Sequence, residues 1–364
     1  MRESAQDRSA TLTNFPRERR LGIMFLPLSL VLILAFIGSI AFGSVSIPLA
    51  SVLRVLSGFH IDTESWRVIL LDFRVPKALT AVMAGAALGV GGLQMQTLFR
   101  NPLADPFILG ISSGASLGVA IAVLAVGSVG TSLLLPNMGF LQGLGVTLAA
   151  SVGASVAFAF VVLVSQKVRH LVTLLVLGLM LGYTTGAIVS ILVYFSIPER
   201  VQTFLNWTFG SFGGVTWNQM RILAPVVILG LMISQACAKP LNGLLLGEDY
   251  ARSMGLDVRH ARMWVMGSTS LLAGAITAFC GPIVFLGVAV PHLARSLFNT
   301  ADHIVLLPAV MMLGGSMALI LDLVAQMPGG SFTLPLNAVT SLVGAPIVIW
   351  VVLRNRNFRS DLAT

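Results

Sequence analysis

Apolar stretches long enough to cross a bilayer recur along the whole chain, separated by short polar joints. A spanning helix needs about 20 apolar residues. The pattern predicts ten spans, at 21–43, 76–98, 107–127, 138–165, 170–195, 219–238, 261–280, 283–298, 304–325 and 335–353. Only Gly281-Pro282 and Pro328-Gly329-Gly330 divide the pairs within 261–298 and 304–353. Runs of this length satisfy their own backbone groups only as helices. The expected class is therefore an all-α polytopic membrane protein, with a leader at 1–20, a transmembrane domain at 21–354 and a tail at 355–364. Helices in lipid associate by close packing, and small residues at every fourth position let backbones approach. Three such ladders predict tight contacts: Ala81, Gly85 and Gly89; Gly110, Gly114 and Gly118; Gly178, Gly182 and Gly186.

Composition agrees with lipid as the main solvent. Charged residues make up 10% and hydrophobic ones 56%, with a mean hydropathy of +0.92, whereas soluble domains carry about a quarter charged residues. Arg17, Arg19 and Arg20 precede 23 residues of apolar sequence. That exceeds the core of a signal peptide, about 7 to 15 residues, so a retained first span is expected. With the N-terminus inside, 16 of the 22 Lys and Arg fall on the inner side, leaving Arg54, Arg67, Arg74, Lys77, Arg200 and Arg221 outside. Both termini are then cytoplasmic. The same asymmetry explains the net charge of +8 without a nucleic-acid partner. Cys237 and Cys280 lie in apolar segments without CxxC spacing and read as buried small hydrophobes.

The polar joints differ by side. The largest outer one, 44–75, places Trp66 at headgroup level. Pro76 suits a first helical position, which starts the second span there and sets Arg74 and Lys77 at the outer surface. Snorkelling or a patch for an acidic partner both account for those cations. On the inner side only 239–262 is long enough to fold. Glu248 and Asp249 followed by Arg252 complement a helix dipole, and Gly247 and Gly255 bracket a two-turn helix over 248–254. Such a short helix persists only when packed on something else.

Chemistry is scarce. The three lysines follow Pro76, Gln166 and Ala238, so no GxxxxGK phosphate loop is present. Asp322 is the one acid within the predicted spans and has no partner beside it in sequence; a structural role and a proton relay both stand. His292 lacks a second ligand at helical spacing and reads as a structural helix-end residue, so no metal site is expected. The loops hold no nucleophile, metal cluster or acid–base pair, so the polar residues by themselves do not separate a transporter from a membrane scaffold or an enzyme subunit.

Several motifs together resemble one family: Arg74-Val75-Pro76-Lys77; QTLFRNPLAD from Gln96 to Asp105; LGISSGAS from Leu109; Leu246 to Arg252 with Gly255; GVAVPHLAR from Gly287 to Arg295; and LPLNAVTSLVGAP from Leu334 to Pro346. They resemble, in order and spacing, the permease subunits of type II ABC importers for iron-siderophores, haem and cobalamin (FecCD-type), from about residue 20 to residue 354. The resemblance implies a ten-span subunit paired with a second copy or a paralogue. Two cytoplasmic ATPase subunits, which carry ATP and Mg, and an external binding protein complete the machine in the bacterial inner membrane. The chain itself then needs no cofactor. Coupling to the ATPase maps onto Gly247, Glu248, Asp249, Ala251, Arg252 and Gly255 within 239–262. Docking of the binding protein maps onto Arg74, Lys77 and Gln326, the last standing where the family motif Ala-Asp-Leu-x-Ala-Arg has its arginine. A cytoplasmic gate maps onto His170 and Leu171, which an ordinary charged turn also explains. An ion-coupled secondary transporter and a non-transporting membrane scaffold or enzyme subunit are the competing classes.

Overall fold

The computed structural model describes residues 17–43, 45, 47–58, 64–126, 145–165, 171–327 and 333–354. Among the described residues there are helices and no strands. Seven helices among them are long and apolar enough to span a membrane: α1 (Arg17–Ala41), α3 (Glu64–Leu98), α5 (Gly145–Ser165), α6 (Leu171–Tyr194), α8 (Trp217–Ala236), α11 (Val258–Cys280) and α13 (His303–Gln326). Three shorter apolar helices complete the ten expected spans: α4 (Ile111–Ala120, continued by a wide turn to Val126), α12 (Leu286–Phe298) and α14 (Leu336–Arg354). Among the described residues four helices lie between spans: α2 (Leu49–Leu56), α7 (Pro198–Thr208), α9 (Ala238–Leu245) and α10 (Glu248–Ser253). The predicted start of the fourth span, 138–144, falls outside the described residues.

The second span begins earlier than Pro76, because the helix runs unbroken from Glu64 to Leu98. Between Ile69 and Arg74 it widens, and the Val75 N–H reaches back five residues to the Leu70 carbonyl. A wide turn adds room where the Pro76 ring lacks an N–H and would crowd the preceding turn. Proline therefore sits inside this helix instead of opening it. Much of the expected outer loop 44–75 is correspondingly helical, and Trp66 is half-buried against the core.

Helix α3 is the axis of the bundle, with residues 84–99 all buried beneath α8, α11, α12 and α13. Its small residues allow backbone to approach backbone. A methyl on Gly85 would lie 2.8 Å from Ala318 Cβ and closer still to the Gly314 carbonyl, and one on Gly92 would lie 2.7 Å from Gly287 Cα. A second seam joins α4 to α5, where a methyl on Gly114 would lie 2.5 Å from both the Gly153 oxygen and Ala157 Cβ. Two of the predicted ladders thus hold in part. Gly110 is different: it is a turn residue with φ +74°, placed between the short helical turn Pro106–Leu109 and α4. On α6 only Gly178 packs tightly, against the Ile108 carbonyl; Gly182 has just Ser113 Oγ at 3.4 Å and Gly186 faces open space. Spacing alone did not reveal which face of α6 is buried. Cys237 and Cys280 are buried free thiols.

Candidate functional site

The two ends of the bundle carry the polar groups, and α3 and α13 run antiparallel between them. At one end, α9 and α10 form the insert. Gly247, with φ +112°, turns the chain between them, and Gly255, with φ +84°, stops α10 after two turns. Both conformations disfavour side chains. The short helix is fastened to the bundle in three ways. Ala251 is fully buried beneath it. Glu248 pairs with Arg262 on the first turns of α11 and also lies 3.6 Å from Arg252. Arg100, just beyond α3, donates to the Leu244 carbonyl across the α9–α10 joint, at 3.4 Å.

The outward surface of the insert is mixed. Leu246, Tyr250 and Met254 are all more than half exposed, and Tyr250 and Met254, four residues apart, share a helix face. Asp249 is fully exposed, with Arg252 3.7 Å away. Asp257, capping α11 through the His260 N–H, has its pKa held below the usual range by that bond and by the His260 ring. Apolar side chains ringed by charges are what a protein partner covers. The exposed trio Leu246, Tyr250 and Met254 escaped the sequence reading, which weighed only charges and glycines; the i, i+4 apolar spacing was the available signal.

Beneath the insert lies a buried polar chain. Asn242 on α9 donates through Nδ2 to Asp302 Oδ1 at 2.7 Å and accepts at Oδ1 from both the backbone N–H (2.8 Å) and the ring Nδ1 (2.7 Å) of His303. His303 Nε2 lies 2.8 Å from Thr97 Oγ1 at the end of α3. Nearby, Arg295 donates to Gln96 Oε1 at 2.5 Å. His292 is mid-helix in α12, not at a helix end, and its Nε2 lies 2.7 Å from the Pro102 carbonyl. None of these partners is adjacent in sequence, so no motif announced them.

At the other end, Lys77 Nζ lies 3.1 Å from Asp322 Oδ1, and Gln326 Nε2 donates to Asp322 Oδ2 at 2.7 Å. Asp322, without a sequence neighbour to pair with, finds its counter-ion on α3. Arg74 is not a surface cation. It is 8% exposed and donates to the carbonyls of Ile40 and Ala41 at the end of α1, both at 2.8 Å, and to that of Val45. Orphan carbonyls at a helix end are natural acceptors for a guanidinium. Lys77, Asp322 and Gln326 line a cleft of about 390 Å³ with Asn206, Ser211 and Leu334. Of the two predicted gate residues, His170 lies outside the described residues, as does the side chain of Leu171, which opens α6. Among the described residues no cluster of His, Cys, Asp or Glu could hold a metal.

A bundle of ten apolar helices carrying one fastened insert is a specific architecture, and residues 31–354 match the FecCD transport family. The chain belongs to that family. Over 93% of its length it is 36% identical to the vitamin B12 import system permease protein BtuC of Klebsiella pneumoniae, covering 96% of that relative. It is 34% identical to the hemin transport system permease protein HmuU of Yersinia pestis, over 92% of this chain and 96% of the other. A solved structure of a metal-chelate type ABC transporter in an inward-facing conformation superposes with a TM-score of 0.77 at 27% identity, over 92% of this chain and 99% of that one. This FecCD chain is thus a multi-span membrane permease with a transport role.

Proposed function

We propose that this FecCD permease is the membrane subunit of an ATP-driven importer that takes an iron-siderophore, haem or cobalamin across a bacterial inner membrane. It works with a second copy or a paralogue, two cytoplasmic ATPase subunits that carry ATP and Mg, and an external binding protein. The observation that carries this reading is the insert, a stiff helix pair tied to the bundle through Glu248–Arg262 and offering Leu246, Tyr250 and Met254 outward. A lever needs both a rigid attachment and a contact face. The relatives that import vitamin B12 and hemin point to the substrate class. The insert end faces the cytoplasm, in keeping with the excess of basic residues there, and both termini share that side. Gly247, Glu248, Asp249, Ala251, Arg252 and Gly255 shape or present the coupling helix. At the opposite end Lys77 and Gln326 line the cleft that meets the binding protein, and Arg74 holds the chain beneath it.

Vesicles holding the chain, its ATPase subunits and the binding protein should accumulate substrate only when ATP is supplied. Glu248→Arg, or a bulky residue at Gly255, should leave ATP hydrolysis running while uptake collapses. Accumulation by the chain alone along a proton or sodium gradient refutes the reading.

A further inference from the structure

Helices α3 and α13 are joined at three levels. Lys77 and Asp322 pair at one end, Gly85 and Gly314 meet backbone to backbone in the middle, and Thr97 and His303 meet at the other end. A 24-residue helix such as α13 is about 36 Å long, so this pair is a stiff frame reaching from the insert to the Lys77 cleft. The insert packs on both helices of the frame through apolar residues of α9 such as Leu241 and Leu244, and Asn242 is the one side chain on α9 with hydrogen bonds to the start of α13 among the described residues.

We propose that Asn242, His303 and Thr97 form a hydrogen-bonded linkage in series through which movement of the insert reaches the α3–α13 frame. The inference rests on the importer reading above. All three residues are positioning residues and none is placed against substrate.

The geometry defines the linkage atom by atom. The amide of Asn242 has one allowed orientation, because its Nδ2 faces the Asp302 carboxylate and its Oδ1 faces the His303 backbone N–H. With Oδ1 committed as an acceptor, ring Nδ1 of His303 must carry a proton to donate to it. Nε2, then unprotonated, accepts from the Thr97 hydroxyl, whose single proton is shared with the Leu93 carbonyl 2.9 Å away on its own helix. His303 is 1% exposed and Thr97 is 2% exposed, so bulk water does not substitute for either bond. Asp302 adds directional stiffness: the carboxylate that receives Asn242 also accepts the Ile304 N–H as the cap of α13. A pull on α9 therefore acts on the first turn of α13 and, through the imidazole, on the last turn of α3.

Series and parallel connections give different arithmetic. In series, breaking either bond interrupts the path from α9 through the imidazole to the last turn of α3, and breaking both does no more, while Lys77–Asp322 and the Gly85–Gly314 contact still hold the two helices together. The assembled transporter in vesicles is assayed for substrate uptake and for ATP hydrolysis. Thr97→Val removes the hydroxyl at nearly constant volume and lies outside the insert. It should leave ATP hydrolysis within about twofold and lower uptake about tenfold, within the usual range of a coupling between sites. Thr97→Ser, which keeps the hydroxyl, should restore uptake. Asn242→Ala should lower uptake to a similar degree, and the double variant should be no worse than the lower single. Where a variant does not assemble, His303→Asn and His303→Gln stand in, keeping the Asn242 side and the Thr97 side of the linkage respectively; each should be as impaired as the other. Independent lesions would instead multiply to about 100-fold. That outcome, or full uptake in Thr97→Val, overturns the linkage alone. A wild-type transporter that takes up nothing overturns the importer reading and the linkage with it.

Discussion

Replacing Lys77 with Met tests whether the ion pair at the cleft end holds the frame together. The substitution keeps an unbranched side chain of similar length and removes the ammonium that lies 3.1 Å from Asp322 Oδ1. Asp322 keeps the Gln326 amide as a donor but loses its counter-charge while 6% exposed. Breaking a buried pair by removing one partner costs about 3–5 kcal/mol, because a charge is left uncompensated. Lys77 retains 22% exposure, so water screens the pair and the lower end, about 3 kcal/mol, is expected. In a chain of this size that corresponds to a fall of roughly 4 °C in the midpoint of thermal unfolding. The assay is loss of the monodisperse peak after heating in detergent, for wild type, Lys77→Met, Asp322→Leu and the double variant. The double variant should recover most of the loss, since an apolar pair of similar volume tolerates a dry site. A Lys77→Met protein as stable as wild type, or a double variant worse than both singles, refutes the reasoning.

Two further outcomes are expected. Gly314→Ala puts a methyl 2.7 Å from the Gly85 carbonyl carbon, well inside the 3.5–4.0 Å at which carbons attract; overpacking of this kind costs about 1–3 kcal/mol and should lower the same unfolding midpoint, whereas Gly186→Ala, which meets nothing within 4 Å, should leave it unchanged in the single subunit. Asp105 caps the turn Pro106–Leu109 through the Phe107 N–H, and burial of its carboxyl pushes the pKa up to about 6. A raised carboxyl pKa means that the ionised form is disfavoured in the folded state, so stability from this group is greatest below the ordinary value and declines as pH rises through about 6. Asp105→Asn keeps the acceptor and removes the charge, and unfolding midpoints from pH 4 to 8 should show a flatter dependence than wild type.

The membrane spans were legible because bilayer thickness imposes a length that composition cannot hide; α3, α8 and α13 stand out as runs of apolar residues. The insert helix was legible for a different reason, since Gly247 and Gly255 adopt left-handed or extended positive-φ conformations that other residues avoid. Local rules failed where a neighbour changed their meaning. Pro76 looks like a helix start until the wide turn before it is seen to make room for the ring. The helix α7 was missed because its 11 residues are too short and too polar to signal a span. The cleft and the linkage were illegible for a third reason. Lys77 with Asp322, and Thr97 with His303 and Asn242, meet only after the chain has folded back across the bundle. No periodicity records such long-range partners, and the charge on Arg74 gave no hint that it would be turned inward to three carbonyls.

If the chain is the importer subunit proposed above, the Lys77–Asp322–Gln326 trio bears on which delivery proteins its cleft can accept. Its opposite charges cancel within the cleft, and the position that elsewhere carries an arginine here supplies an amide. A delivery protein selected to set its acids against free guanidinium groups finds little reward on this surface, and its own carboxylates would lose water without gaining a counter-charge. On the importer reading proposed above, recognition at this cleft is then weighted toward shape and neutral hydrogen bonds rather than toward charge.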